Sequence, residues 1–104
     1  MREVWNLIDK YVKANARNKR KGYTLKDIPD SIRLAYLHDE VHELRCEPHD
    51  LKEMADILAI LFHHAQAHGY TYEQLAQTVV AKLEERFELE EDSDTSEAEE
   101  DWTS

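Results

Sequence analysis

The stretch Ile57-Leu58-Ala59-Ile60-Leu61-Phe62 has no polar side chain and is the most apolar part of the chain. It lies in a longer segment that predicts a helix from about His49 to His68, ended by Gly69. A helix that is apolar all round is buried on several sides. We therefore expect this helix to be the centre of the fold.

Three further helices are predicted around it. The first covers residues 2–17, the second runs from about Ser31 to Arg45, and the fourth follows Thr71. Their apolar positions recur at helical spacing: Val4, Trp5, Ile8, Tyr11 and Val12; then Leu34, Leu37, Val41 and Leu44; then Leu75, Val79, Leu83 and Phe87. With two glycines and two prolines, the chain has little room for a turn-rich β fold. It predicts an all-α, compact four-helix module.

Local signals mark the predicted helix ends. Gly22 ends a basic connector, residues 18–22, and is a plausible glycine after the first helix. Pro29 disfavours helix before it, and Asp30 or Ser31 can cap the second helix. Pro48 suits a first helical position.

Charge divides the chain into a body and a tail. The 104 residues include 23 Asp and Glu against 13 Lys and Arg, but residues 88–104 hold nine of the acids and no Lys or Arg. We expect residues 1–87 to form one all-α domain and residues 88–104 to be a disordered acidic tail. A nearly neutral body lacks the basic footprint of a protein that binds nucleic acid polymers.

The remaining composition bears on compartment and assembly. Cys46 is the lone cysteine, which indicates a reduced, cytoplasmic protein. The sequence has neither the apolar run of a signal peptide nor one long enough to span a membrane. A body of this size buries a modest core, so we expect a homodimer or homotetramer.

Two acidic pairs carry the chemistry. Glu40 and Glu43 lie three residues apart on the second predicted helix, and Glu53 and Asp56 do so on the third. Each pair projects from one side of its helix and borders apolar positions. Either pair alone is more readily explained as solvated acids. Four acids in one place repel one another and need a cation, and carboxylate oxygens suit magnesium.

Basic residues and histidines add weaker signals. Lys82 and Arg86 share a face of the fourth helix, where they either bind phosphate or form surface ion pairs with Glu84 and Glu85. Two histidine pairs have the four-residue spacing that can chelate a metal from one helix, His38 with His42 and His64 with His68. We favour surface or helix-end roles for them. A zinc- or nickel-buffering protein that binds through His64 and His68 is the alternative.

The order of these motifs resembles the MazG-like all-α nucleoside triphosphate pyrophosphohydrolases. The resemblance rests on Asp39-Glu40-Val41-His42-Glu43-Leu44, Glu53-Met54-Ala55-Asp56-Ile57-Leu58, Gly69 and Lys82-Leu83-Glu84-Glu85-Arg86. It covers residues 31–87. It implies an oligomeric enzyme that hydrolyses a nucleoside triphosphate between its α and β phosphates.

The resemblance also implies roles for residues. The four acids (Glu40, Glu43, Glu53 and Asp56) would hold Mg²⁺, with Mn²⁺ as a possible substitute, and Lys82 and Arg86 would bind the phosphates. Asp39 is a candidate general base only because it is adjacent to Glu40. Nine residues separate Glu43 from Glu53, which is short for the family and puts part of a base pocket in question.

Other interpretations remain open. The chain could be a phosphoribosyl-ATP pyrophosphohydrolase-like enzyme, or a non-catalytic dimeric interaction module. Trp5, Tyr11 and Tyr23 could stack on a base, but core or dimer contacts are favoured. The basic run Lys19-Arg20-Lys21 is interpreted as an ordinary solvated connector rather than part of a substrate site.

Overall fold

The computed structural model describes residues 1–87, and the predicted disordered tail lies outside them. The helices are α1 Arg2–Lys13, α2 Asp30–Cys46, α3 Leu51–Ala67 and α4 Tyr72–Arg86. Within residues 1–87 there is no β-strand, only an isolated antiparallel bridge between Arg17 and Thr24. For the part of the chain that the structure describes, the prediction of an all-α fold with four helices is confirmed. None of the described helices has the length and apolar character needed to cross a membrane.

Residues 1–87 divide between two compact units. The first, Met1–Tyr72, contains α1, α2, α3 and the first residue of α4. The second begins at Glu73 and carries the rest of α4.

The C-terminal end of α1 differs from the prediction. Asn15 adopts a left-handed φ of 52°, its N–H donates to the Val12 carbonyl, and the Ala16 N–H donates to the Tyr11 carbonyl. This pattern closes a helix, and asparagine tolerates the left-handed conformation better than most residues. The helix therefore ends at Lys13 rather than at residue 17, and Gly22 is not its terminating glycine.

The other helix ends agree only in part. Gly69, with a φ of +81°, follows α3 and ends it in the way predicted. At the start of α3 the cap is Asp50, whose carboxylate accepts the Lys52 N–H at 2.9 Å, so Pro48 is not a first helical residue. Pro29 is the N-cap of α2, and the Asp30 carboxylate bonds to Arg33 instead of capping the helix.

An aromatic cluster forms the core of the first unit. Trp5 of α1 packs edge-on against Phe62 of α3, with ring centroids 5.4 Å apart, and both rings also contact Tyr72. The Gln66 amide donates to the Trp5 carbonyl at 3.0 Å, which joins α3 to α1. Since α3 packs against both α1 and α2, its central position is confirmed within this unit, although Leu61 remains exposed.

The inward face of α2 is mixed, whereas the prediction was an apolar seam of Leu34, Leu37, Val41 and Leu44; of these, Leu37 and Leu44 are half-buried. Leu34 and Val41 are 43% and 40% exposed, whereas Arg33 and Glu40 are buried. Both buried charged side chains have polar partners. Arg33 donates to the Ile28 carbonyl, and Glu40 forms an ion pair with Lys21. Because a buried charge needs such partners, the residues before α2 determine which side of the helix turns inward.

We predict that Trp5→Ala lowers the free energy of unfolding by about 3–5 kcal/mol, because it removes the largest side chain of the aromatic core. Urea denaturation followed by circular dichroism measures this loss. Leu7→Ala is the matched control on the same helix, since Leu7 is 49% exposed. Equal losses in the two variants would show that the aromatic cluster is not the core.

Candidate metal centre

Three of the four predicted acids come together where α2 and α3 pack. Glu40 and Glu43 of α2 and Glu53 of α3 each offer a carboxylate oxygen, and these three oxygens lie within 4.8 Å of one another. We call this set the carboxylate cluster. Glu40 and Glu43 are three residues apart and therefore lie on the same side of α2. That side meets Glu53 of α3.

Burial makes Glu40 the most constrained member of the carboxylate cluster. Its side chain is the largest fully buried one in the described residues, at 2% exposure. One oxygen, Oε1, lies 3.2 Å from the ammonium of Lys21. The other, Oε2, is buried, as is Oε2 of Glu53, and neither oxygen has a hydrogen-bond partner when both carboxyls are ionised.

The pKa values of Glu40 and Glu53 are shifted in opposite directions. Hydrogen bonding with Glu40, burial and the nearby Glu43 raise the pKa of Glu53 from 4.5 to about 7. Burial alone would raise the pKa of Glu40, but the bond with Glu53 and the Lys21 ammonium outweigh it and lower that pKa. With this pKa, Glu53 is protonated below pH 7 and about half protonated at pH 7, and the protonated carboxyl can donate to the Glu40 carboxylate. A cation that neutralised the cluster would release this proton.

Asp56, the fourth predicted acid, lies beside this set rather than in it. Its Oδ2 is 3.7 Å from the guanidinium of Arg20. Burial and the charge of Glu40 raise the pKa of Asp56, which places the two carboxyls in the same electrostatic environment.

A tight loop between α1 and α2 supplies the cations. The Asn18 side-chain oxygen accepts the backbone N–H groups of Arg20 and Lys21 at 2.9 and 2.7 Å. The Gly22 N–H donates to the Asn18 carbonyl, and the Asn18 N–H donates to the Tyr23 carbonyl. The interpretation of Lys19-Arg20-Lys21 as a solvated connector is wrong for Lys21, whose side chain is 21% exposed, whereas the Arg20 side chain is 64% exposed although it pairs with Asp56. The sequence feature that could have predicted this tight loop is Asn18 followed by Gly22, since both residues favour tight turns.

A cavity of about 200 Å³ opens beside these charges. Tyr23 and Tyr36 stack at its wall with centroids 4.7 Å apart, and the Lys21 ammonium lies 4.3 Å from the Tyr36 ring centroid. Trp5 belongs to the core as predicted, whereas Tyr11 and Tyr23 line this cavity. Its other lining residues are Ile8, Asn18, Arg20, Leu25, Glu40, Asp56, Ala59, Ile60 and His63.

The remaining predicted residues lie on other surfaces or in the second unit. Lys82 forms an exposed ion pair with Glu85 at 3.7 Å, and Arg86 is the last residue of α4. Phosphate binding by Lys82 and Arg86 stays a prediction. Asp39 is exposed, 4.0 Å from His38, and is not a member of the carboxylate cluster, so its adjacency to Glu40 gives it no place among these acids.

The donor set fits a hard divalent cation. Three carboxylates converge, two of their buried oxygens have no donor when ionised, and the nearest compensating charge is one ammonium ion. Magnesium binds such oxygen ligands together with water. No protein-family model, no curated protein and no solved structure matches this chain.

We predict that Lys21→Met lowers the free energy of unfolding at pH 8 by about 2–3 kcal/mol, because it leaves the buried Glu40 carboxylate without its cation. The deficit should shrink at pH 4, where Glu40 takes up a proton once Lys21 no longer lowers its pKa. Urea denaturation at the two pH values measures both effects. Lys19→Met is the control, since Lys19 is exposed in the same loop; an equal loss there would contradict a specific role for Lys21.

Proposed function

We propose that this chain is a magnesium-dependent nucleoside triphosphate pyrophosphohydrolase of the MazG-like type. It hydrolyses the bond between the α and β phosphates of a ribo- or deoxyribonucleotide and yields a monophosphate and pyrophosphate. The convergence of Glu40, Glu43 and Glu53 from consecutive helices, with Glu40 buried, carries this proposal.

The energetics of the carboxylate cluster favour a functional interpretation over a structural one. Three carboxyls lie within 4.8 Å of one another, and hydrogen bonding with Glu40, burial and the neighbouring acids raise the pKa of Glu53 to about 7. A chain selected for stability alone has no need of this arrangement, whereas perturbed carboxyls in a cleft are typical of catalytic and metal sites. Glu40, Glu43 and Glu53, with Asp56 beside them, are the residues that would hold the cation.

Magnesium bound there would polarise a phosphate and lower the pKa of an attacking water. The protein's part is to fix the carboxylates and to attract the phosphates. Arg20 and Lys21 already lie at the acids, and a triphosphate offers them more oxygens than the acids do. Lys82 and Arg86, carried over from the family resemblance, are further candidates for phosphate binding.

The cavity beside the acids suits the nucleoside end of the substrate. Its wall has the stacked Tyr23 and Tyr36 rings, which can contact a base, and the Asn18 side chain, which already bonds the Tyr23 hydroxyl at 3.3 Å. Its volume of about 200 Å³ is below the roughly 300–1,000 Å³ of pockets that enclose a drug-sized ligand. It therefore holds a base or a sugar rather than the whole nucleotide.

We predict magnesium-dependent pyrophosphate release from at least one member of a panel of ribo- and deoxyribonucleoside triphosphates. Glu53→Gln should reduce the rate on the order of a hundredfold or more, since changes even to the residues that support metal ligands cost about 10–100-fold. Glu47→Gln is the matched control, an exposed acid in the turn between α2 and α3. EDTA should abolish release, and manganese should restore it.

Two results would redirect the proposal. Release from phosphoribosyl-ATP, but from none of the panel, would identify the related enzyme of histidine synthesis. No release from any nucleotide by the folded chain, together with no magnesium-dependent stabilisation, would favour the non-catalytic interaction module.

We also propose that the chain works as a homodimer or a homotetramer. Leu34 and Val41 on α2 are exposed seven residues apart, and Met54 and Leu61 on α3 repeat this spacing. Residues seven apart lie on one face of a helix. Exposed apolar stripes on two neighbouring helices are typical of association surfaces, and a second copy offers the same stripes in return.

We predict that light scattering after size-exclusion chromatography gives a mass above one chain, and that Val41→Glu shifts it toward 12.3 kDa, because burying an unpaired carboxylate at an interface is unfavourable. Lys10→Glu, on an exposed position of α1, controls for the added negative charge. A native chain that elutes as a monomer at all concentrations would contradict the oligomer.

A further inference from the structure

A second group of possible ligands lies at the other end of the α2–α3 pair. Asp30 begins α2, and His64 and His68 lie at the end of α3. These three side chains each offer one ligand atom, and the atoms lie within 4.8 Å of one another. Ten residues of α2, or about 15 Å of helix, separate Asp30 from Glu40 of the carboxylate cluster.

The contacts within this group are direct. His68 Nε2 donates to Asp30 Oδ2 at 2.8 Å, and His64 Nδ1 lies 3.9 Å from Asp30 Oδ1. The two imidazole rings, one helical turn apart, have centroids 4.7 Å apart. Their spacing of four residues is the one by which helices present two imidazoles to a single ion.

We propose that His64, His68 and Asp30 form a binding site for a borderline transition-metal ion such as Zn²⁺. Two imidazoles and one carboxylate are a zinc ligand set, and water can complete the tetrahedron. Magnesium prefers oxygen ligands, so this site and the carboxylate cluster select different ions. Zinc here holds the start of α2 to the end of α3, and this role is independent of any hydrolase activity.

An ion at this site must displace the hydrogen bond between Arg33 and His64. Its NH1 donates to Asp30 Oδ1 at 2.6 Å and to His64 Nδ1 at 3.0 Å, and its NH2 donates to the Ile28 carbonyl at 2.9 Å. Because a guanidinium only donates, His64 Nδ1 is unprotonated and its lone pair accepts the hydrogen bond from Arg33. Zinc would replace Arg33 as the partner of the His64 Nδ1 lone pair. Arg33 keeps its hydrogen bonds to Asp30 and to the Ile28 carbonyl, and so continues to orient the Asp30 carboxylate.

The surroundings of His64 favour the neutral ring that a metal ion needs. Burial and the charge of Arg33 lower the pKa of His64, which keeps its ring neutral near pH 7. Binding of the ion through His68 Nε2 replaces the hydrogen bond from Nε2 to Asp30 Oδ2, and the Nε2 proton passes to Nδ1 or to solvent. No bond other than these hydrogen bonds has to change.

The chain contains its own control. His38 and His42 have the same four-residue spacing on α2. His38 is 85% exposed, its nearest acid is Asp39 at 4.0 Å, and the described residues bring no three-ligand group together there. Spacing alone would make the two pairs equivalent, whereas the third ligand and the partial burial of His64 distinguish them.

The test is a competition titration of Zn²⁺ against a chromophoric chelator, with the full chain in excess Mg²⁺. We expect one bound zinc per chain, at least tenfold weaker binding in His68→Ala, and native affinity in the double variant His38→Ala/His42→Ala. Zinc should also raise the melting temperature of the native chain but not that of His68→Ala. His68 is 46% exposed, so this substitution leaves the fold intact.

Three outcomes would overturn the proposal. They are unchanged zinc affinity in His68→Ala, an equal loss in His38→Ala/His42→Ala, and no zinc binding by the native chain. Loss of zinc in Glu53→Gln, with His68→Ala unaffected, would assign the ion to the carboxylate cluster instead.

Discussion

The contact between the Lys21 ammonium and the buried Glu40 carboxylate, at 3.2 Å, is the constraint on which the first unit depends. An ionised carboxylate at 2% exposure is stable only with a cation and hydrogen-bond donors around it. Asn18 meets this need from outside the helices, because its side-chain oxygen fixes the backbone N–H groups of Arg20 and Lys21. The loop between α1 and α2 is therefore part of the charge balance of α2.

The same constraint explains the orientation of α2. Arg33 and Glu40, seven residues apart, turn toward the protein, and the apolar Leu34 and Val41 are left exposed. A helix that buries charged side chains and exposes apolar ones can form a polar site on its inward side and contact a second subunit with its exposed side. The proposed metal centre and the proposed oligomer are thus two consequences of one helix rotation.

Periodicity predicted the four helices well, because α3 has a long apolar run and Gly69 stops it. The three-residue spacing of the acids likewise predicted that Glu40, Glu43 and Glu53 approach one another. The face of α2 could not be predicted, since it depends on Lys21 and Ile28, which reach the helix from the preceding segment. The contact of Asp30 with His64 and His68 could not be predicted either, because 34 and 38 residues separate them in sequence.

The most direct test of a cation site in the carboxylate cluster is the stability of the native chain and of Glu53→Gln from pH 5 to pH 8, in EDTA and in Mg²⁺. The folded pKa of Glu53 is raised from 4.5 to about 7, so the folded chain retains a proton that the unfolded chain has lost. In EDTA the native chain should therefore lose stability relative to Glu53→Gln as pH rises through this window. Magnesium should remove that loss by stabilising only the native chain. Parallel pH profiles that magnesium leaves unchanged would contradict the account.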